Sequence, residues 1–383
     1  MEIRNRIVMP PMGTSFHTED GYVTDGTRTY YEERAKGGVG LVIVEYTYVH
    51  SSGRASIHQL SIDSDKRITR LSTLAQAIKR HGARAAIQLH HAGYNTRLSV
   101  TGQQPVAPSP VALPGMEVPR ELTTGEIQNM VALFAQAAWR AKEAGFDAVE
   151  LHGAHKYLIA QFLSPASNKR CDIYGGSLEN RARFLLEVIK AIKAMVGPGF
   201  PVWSRINGEE VGMQGGLGIE EVREVVVMAE RAGMDAVHVS GMPAIRGPFF
   251  PIGWGVHNAE VIKKGVSIPV IVVGKLNPEL AERVLEEGKA DLVSMGRPLI
   301  ADPELPNKMA EGRLDDIRPC IYCSICASGI GTQCSVNPAV GQERVYAALP
   351  PATVVKKVIV VGGGPAGMEA ARVAALRGCK VEL

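Results

Sequence analysis

No apolar run in this sequence reaches the eighteen or so residues that a membrane span needs, and "MEIRNRIVMPPMG" lacks the apolar stretch of a signal peptide. No membrane partner is expected, and the reading is a cytoplasmic protein. An excess of one charge is also missing. The 42 basic and 39 acidic residues leave a net charge of +3, spread without blocks. That excludes the basic stripe of a nucleic-acid binder and leaves small-molecule chemistry as the default. Nothing in the composition fixes an oligomeric state, so a homo-oligomer stays open. Cysteine is scarce, six in 383 residues, yet Cys320, Cys323, Cys326 and Cys334 fall within fifteen positions. In a reducing compartment such crowding points to metal rather than disulfides.

What is present is a rhythm. Eight short runs rich in Val, Ile and Ala recur: "RIVMP", "GLVIVEY", "ARAAIQLH", "FDAVELH", "PVWSRIN", "MDAVHVSG", "IPVIVVG" and "ADLVSMGR". Segments of helical period such as "DKRITRLSTLAQAIKRHG" and "LENRARFLLEVIKAIKAMVG" separate them. This alternation predicts an α/β fold, a (β/α)8 TIM barrel. Gly82, Gly145 and Gly233 precede strands at helix ends, where a left-handed cap is expected. The barrel is expected over residues 1–312, a cysteine segment and Pro-Pro linker over 313–349, and a partial Rossmann-like strand–helix–strand start over 350–383. The first strand begins almost at Met1, so any element closing the barrel's bottom is absent or precedes this start.

Chemistry in such barrels sits just past the strand ends. The residues there are Gly13 and Thr14, Glu45 and Tyr46, Gln88, His90 and His91, then His152, His155 and Tyr157. Strands five to eight add Arg205, Ser240, Gly274 with Lys275, and Gly296 with Arg297. The last two pairs offer glycine amides beside a bidentate cation, which suits a phosphorylated cofactor; tight turns and an Arg297–carboxylate pair are the bland alternative. Gln88 and Arg205 together suit the pyrimidine edge of an isoalloxazine. In "ELHGAHKYLIAQFLSP" two neutral imidazoles, His152 and His155, can donate to one carbonyl oxygen, and Tyr157 can supply a proton. A His-x-x-His metal pair and satisfied core histidines stay open there. After strand six, Arg246 could meet a substrate carboxylate or CoA phosphate, with Phe249, Phe250 and Trp254 along an apolar tail.

The cysteines are separated by two, two and seven residues, spacing that fits either a tetrahedral zinc or a 4Fe-4S cluster. Near the C-terminus "VVGGGPAG" places Gly362, Gly364 and Gly367 in a G-x-G-x-x-G match between a strand and a helix, the context that gives a dinucleotide fingerprint meaning. One strand, one helix and the start of another strand cannot enclose a dinucleotide, so no FAD site is expected in this chain.

"NRIVMPPMG", "AIQLHHAG", "VELHGAHKYLIAQFLSPASNKRCDIYGGSLENRARF" and "GRPLIADP" resemble the Old Yellow Enzyme family of FMN-dependent ene reductases. The resemblance implies FMN at the barrel mouth, bordered by Pro11, Met12, Gly13 and Tyr46, with Gln88 and Arg205 on its ring and Gly274, Lys275, Gly296 and Arg297 at its phosphate. It also implies a small-molecule α,β-unsaturated substrate held by His152 and His155 and protonated by Tyr157, after hydride transfer from the flavin. Gly13 stands where many relatives carry Thr or Cys beside the flavin, a contact missing unless Thr14 provides it. The cysteine block resembles the large iron–sulfur branch, 2-enoate reductase, 2,4-dienoyl-CoA reductase and trimethylamine dehydrogenase. There it holds a 4Fe-4S relay, and the region after it starts a FAD and NAD(P)H module, so those two cofactors are expected only in a full-length parent. "PPMGTSF" lacks the cysteine that binds flavin in trimethylamine dehydrogenase, and the paired histidines match ene reductases. An NAD(P)H-dependent ene reductase is therefore expected, with an amine dehydrogenase or a non-redox zinc-stabilised barrel as rivals.

Overall fold

A computed structural model describes residues 1–112, 114–241, 251–328, 331–347 and 349–383. All eight apolar runs form strands: β1 (Ile7–Met9), β2 (Leu41–Tyr48), β3 (Arg84–His90), β4 (Ala148–Gly153), β5 (Val202–Asn207), β6 (Ala236–Ser240), β7 (Val270–Val273) and β8 (Leu292–Ser294). They pair in parallel and in sequence order, and β8 returns to β1, so the sheet closes without an open edge. The expected TIM barrel is formed. Helices pack around it; in Leu178–Val196 the residues Phe184, Leu185, Val188, Ile189 and Ile192 recur every three or four positions and are all buried. Gly82, Gly145 and Gly233 take φ of 81°, 85° and 103°, as their place at helix ends requires.

One device repeats at the bottom. The Asp before β4, β6 and β8 accepts a backbone N–H at the start of the preceding strand: Asp147 from Ala85 at 2.9 Å, Asp235 from Val202 at 2.7 Å and Asp291 from Val270 at 2.8 Å. Each also meets a lysine, Lys79, Lys193 and Lys263 respectively. Strand ends that would otherwise leave donors unpaired are thus satisfied.

After Leu305–Ala310 the chain runs without long elements to Glu343–Ala347, then forms two paired strands, Lys357–Ile359 and Lys380–Glu382, around the helix Pro365–Leu376. A buried ion pair ties this region to the barrel. Arg34 Nη1 meets Glu343 Oε1 at 2.6 Å, and the guanidinium lies 3.8 Å over the Tyr30 ring. Glu343→Leu would leave that cation uncompensated, and a loss of roughly 3 to 5 kcal/mol is expected, read by urea denaturation against the parent chain. Among the described residues no helix is long and apolar enough to cross a membrane.

Candidate active site

The C-terminal strand ends surround a cleft of about 430 Å³. Parallel register sets Gln88 opposite Glu150, Glu150 opposite Trp203, and Arg205 opposite both His152 and His238. Glu150 is fully buried and accepts from Gln88 Nε2 at 2.7 Å, Trp203 Nε1 at 2.7 Å and His238 Nδ1 at 2.8 Å. A carboxylate only accepts, so the Gln88 amide nitrogen must face it, which leaves the Gln88 carbonyl for the cleft it lines. Glu150→Leu would orphan three buried donors, and destabilisation of about 3 kcal/mol or more is expected in thermal or chemical unfolding.

Arg205 rests on that floor. Its Nη1 reaches the Pro11 carbonyl at 3.4 Å and its Nη2 the Ser240 hydroxyl at 3.1 Å, while its buried Nε has no hydrogen-bond partner. Among the described residues it forms no ion pair, and burial lowers its pKa, with the Glu150 charge opposing. Arg205 lines the cleft as a buried cation, and a ligand with an anionic or carbonyl edge would compensate it.

The turn after β4 brings the expected trio together. His155 and Lys156 take φ of 58° and 62°, left-handed values that cost L-residues energy. The His155 Nδ1 lies 3.3 Å from His152 Nε2, and the His155 Nε2 lies 3.0 Å from the Ser240 hydroxyl. The two imidazoles thus bond each other, and a substrate oxygen has to enter that contact to receive both N–H groups. Tyr157 sits with its ring 4.3 Å from His90 and 4.6 Å from His152, both edge-on. Burial holds the His152 imidazole well below its ordinary pKa, so it is neutral and able to both donate and accept.

Opposite, Pro11, Met12 and Gly13 line the wall supplied by the loop after β1. A Cβ on Gly13 would lie 2.6 Å from the Tyr46 ring, so a larger residue there would have to displace that tyrosine. Thr14 does not replace the missing contact: it is fully buried and its hydroxyl donates to Glu45 Oε1 at 2.6 Å. At the far end Lys275, Gly296 and Arg297 line the cleft, and no carboxylate among the described residues pairs with Arg297. Gly274 itself faces away, since a Cβ there would meet Gly255 N at 2.6 Å.

All four clustered cysteines line one small cavity, and Arg297, Ile300 and Cys326 line both it and the cleft. Burial raises the Cys320 and Cys326 thiols, opposed by the Arg297 charge, whereas the Ser335 hydroxyl lowers Cys323. Among the described residues, no three His, Cys, Asp or Glu side chains are arranged to hold a metal ion.

The sequence profile of the NADH:flavin oxidoreductase / NADH oxidase family matches residues 1–316. The chain belongs to this family. Along its whole length it is 49% identical to an NADH oxidase of Thermoanaerobacter brockii and 38% identical to a cinnamate reductase of Clostridium sporogenes, spanning 61% and 63% of those proteins. A solved 2-naphthoyl-CoA reductase, in complex with 2-naphthoyl-CoA, superimposes with a TM-score of 0.92 at 35% identity over 98% of this chain and 61% of that one. Histamine dehydrogenase from Rhizobium sp. 4-9 gives 0.90 at 33% identity, over 99% and 57%. The chain therefore spans about three fifths of the length of these relatives. The resemblance to the Old Yellow Enzyme family is upheld, and members with reductase and with amine dehydrogenase names share its fold.

In this member of the flavin oxidoreductase family the sequence pointed to most of the cleft but not to the buried residues beneath it. Glu150, Trp203 and His238 lie two residues before His152, Arg205 and Ser240, on the same strand faces, so period-two counting from the strand ends would have found them. Tyr322 and Thr332 also line the cleft; the Thr332 hydroxyl donates to the Gly13 carbonyl at 3.2 Å across 319 residues. Arg246, Phe249 and Phe250 lie outside the described residues. The Trp254 ring packs against Gly241, where a Cβ would lie 2.7 Å away.

Proposed function

We propose that this chain is the catalytic part of an FMN-dependent reductase of activated carbon–carbon double bonds, taking an enone, enoate or enoyl-CoA. The observation behind the proposal is the juxtaposition of His152, His155 and Tyr157 in a cleft that Gln88 and the buried cation Arg205 also line. FMN, when bound, supplies a hydride at its N5. The residues fit it: Gln88 and Arg205 would hold the pyrimidine edge, Pro11, Met12, Gly13 and Tyr46 would border the ring, and Lys275, Gly296 and Arg297 would hold the phosphate.

His152 and His155 would donate to the substrate's carbonyl oxygen, drawing electrons from the conjugated bond. Tyr157 would hold the proton that reaches the α-carbon. Its ring packs edge-on against the His90 and His152 imidazoles. The four cysteines share one small cavity beside the cleft. That supports Cys320, Cys323, Cys326 and Cys334 as holders of a 4Fe-4S cluster, a one-electron carrier.

The amine dehydrogenase reading draws on the histamine dehydrogenase likeness and is separated by substrate. Anaerobic assays of the purified, flavin-loaded chain with enones, enoates, enoyl-CoAs and secondary or tertiary amines are expected to show turnover only with the unsaturated carbonyls. Turnover confined to amines would reverse the assignment. A colourless, zinc-loaded protein would end both.

A further inference from the structure

We propose that Ser240 is a positioning residue that sets the tautomer of His155: its hydroxyl accepts from that imidazole in the empty cleft and donates to it when a carbonyl oxygen enters. The second half rests on the reductase reading above. Ser240 closes β6, and Asn207, opposite it in register, closes β5. Between them they hold His155 by backbone and by ring. Asn207 Oδ1 accepts the His155 backbone N–H at 3.3 Å, which supports the left-handed φ of 58°, and Ser240 Oγ lies 3.0 Å from the His155 Nε2.

The direction of each bond is set by groups that can only donate. The Ala154 backbone N–H reaches His152 Nδ1 at 3.4 Å, so that nitrogen accepts and the proton of the neutral His152 ring sits on Nε2. His152 Nε2 therefore donates across the 3.3 Å contact to His155 Nδ1, and a neutral His155 carries its own proton on Nε2, toward Ser240. The Ser240 oxygen also receives the Arg205 Nη2–H at 3.1 Å. A carbonyl oxygen that is to receive both imidazoles needs a proton on His155 Nδ1 instead. The half-buried ring must then release its Nε2 proton to water and take one from water at Nδ1, with no change in net charge. Nε2 becomes an acceptor and requires a donor. Ser240 can supply it: one lone pair keeps the Arg205 bond while the hydroxyl hydrogen turns to Nε2. A carboxylate or backbone carbonyl in that place could only accept and would hold His155 in the other form.

Nitrogen-15 NMR of the full chain labelled at histidine reads the tautomer. The ligand-free parent is expected to carry the His155 proton on Nε2 alone, and saturating cyclohexenone, added with the flavin oxidised, is expected to move it to Nδ1. Ser240→Ala is expected to replace the single ligand-free form by a mixture and to slow reoxidation of reduced flavin by the enone about tenfold, with Ser240→Thr returning the rate to within about threefold of the parent. A doubly protonated His155 in the parent, an unslowed Ser240→Ala, or a Ser240→Thr no faster than Ser240→Ala overturns the proposal. If the chain holds no flavin, or the enone moves neither the His152 nor the His155 signals, the reductase reading fails by itself. The ligand-free spectra then decide Ser240: a tautomer changed in Ser240→Ala upholds its role, and an unchanged one overturns it.

Discussion

Tyr157→Phe is expected to slow reduction of an activated alkene by about 10² to 10⁴ fold while leaving flavin reduction within about twofold. The substitution removes one oxygen and one proton. It keeps the ring that packs edge-on against His90 and His152, so the cleft's shape is retained. Only the step in which a carbon must be protonated loses its donor, and water must then serve. Single-turnover mixing separates the two half-reactions: rapid reduction of the flavin followed by slow reoxidation on adding enone supports the role given to Tyr157. Equal slowing of both halves would mean that Tyr157 shapes the cleft rather than supplying the proton.

A steep loss of stability below about pH 6.5 is the second large effect. His90, His91, His152 and His238 are buried, and burial pushes His90 and His152 well below the ordinary imidazole range, His91 down to about 3, and His238 down against the opposing Glu150 charge. The folded protein keeps these rings neutral, whereas the unfolded chain takes up their protons near pH 6.5. A base whose folded pKa is depressed gives its full stabilisation above the unfolded value and loses it as the pH falls through that value, by about 1.4 kcal/mol per unit per group. By pH 5.5 three to four such groups remove roughly 4 to 6 kcal/mol, a large part of the ~5 to 15 kcal/mol that holds an ordinary domain folded. Urea denaturation at pH 7.5 and 5.5 measures the difference. Equal midpoints at the two values would show that the buried imidazoles find protons or water in the folded state.

The sequence made the barrel legible because each strand is buried on both faces and so reads as an unbroken Val, Ile and Ala run, with glycine at the helix ends before it. The candidate site was legible for the same reason: once eight strands are counted, the residues past their ends must share one mouth. Direction within that mouth was not. Thr14 looked available for the cleft and instead turns to Glu45, and Gly274 turns to Gly255, because local loop geometry decides such choices. Tyr322 and Thr332 reach the cleft from a segment with no regular periodicity, and their partners lie far away in sequence, so no local pattern announced them. The buried pair of Arg34 with Glu343 was hidden in the same way.

In the proposed reaction this cleft would pass a hydride from bound flavin, and a proton from Tyr157, to an activated double bond. Anaerobic mixing of the reduced, flavin-loaded chain with a simple enone tests it most directly. The oxidised flavin spectrum is expected to return while one saturated ketone forms per flavin. Reduced flavin that is indifferent to the enone, in a protein whose oxidised flavin is bleached by an amine, would contradict it.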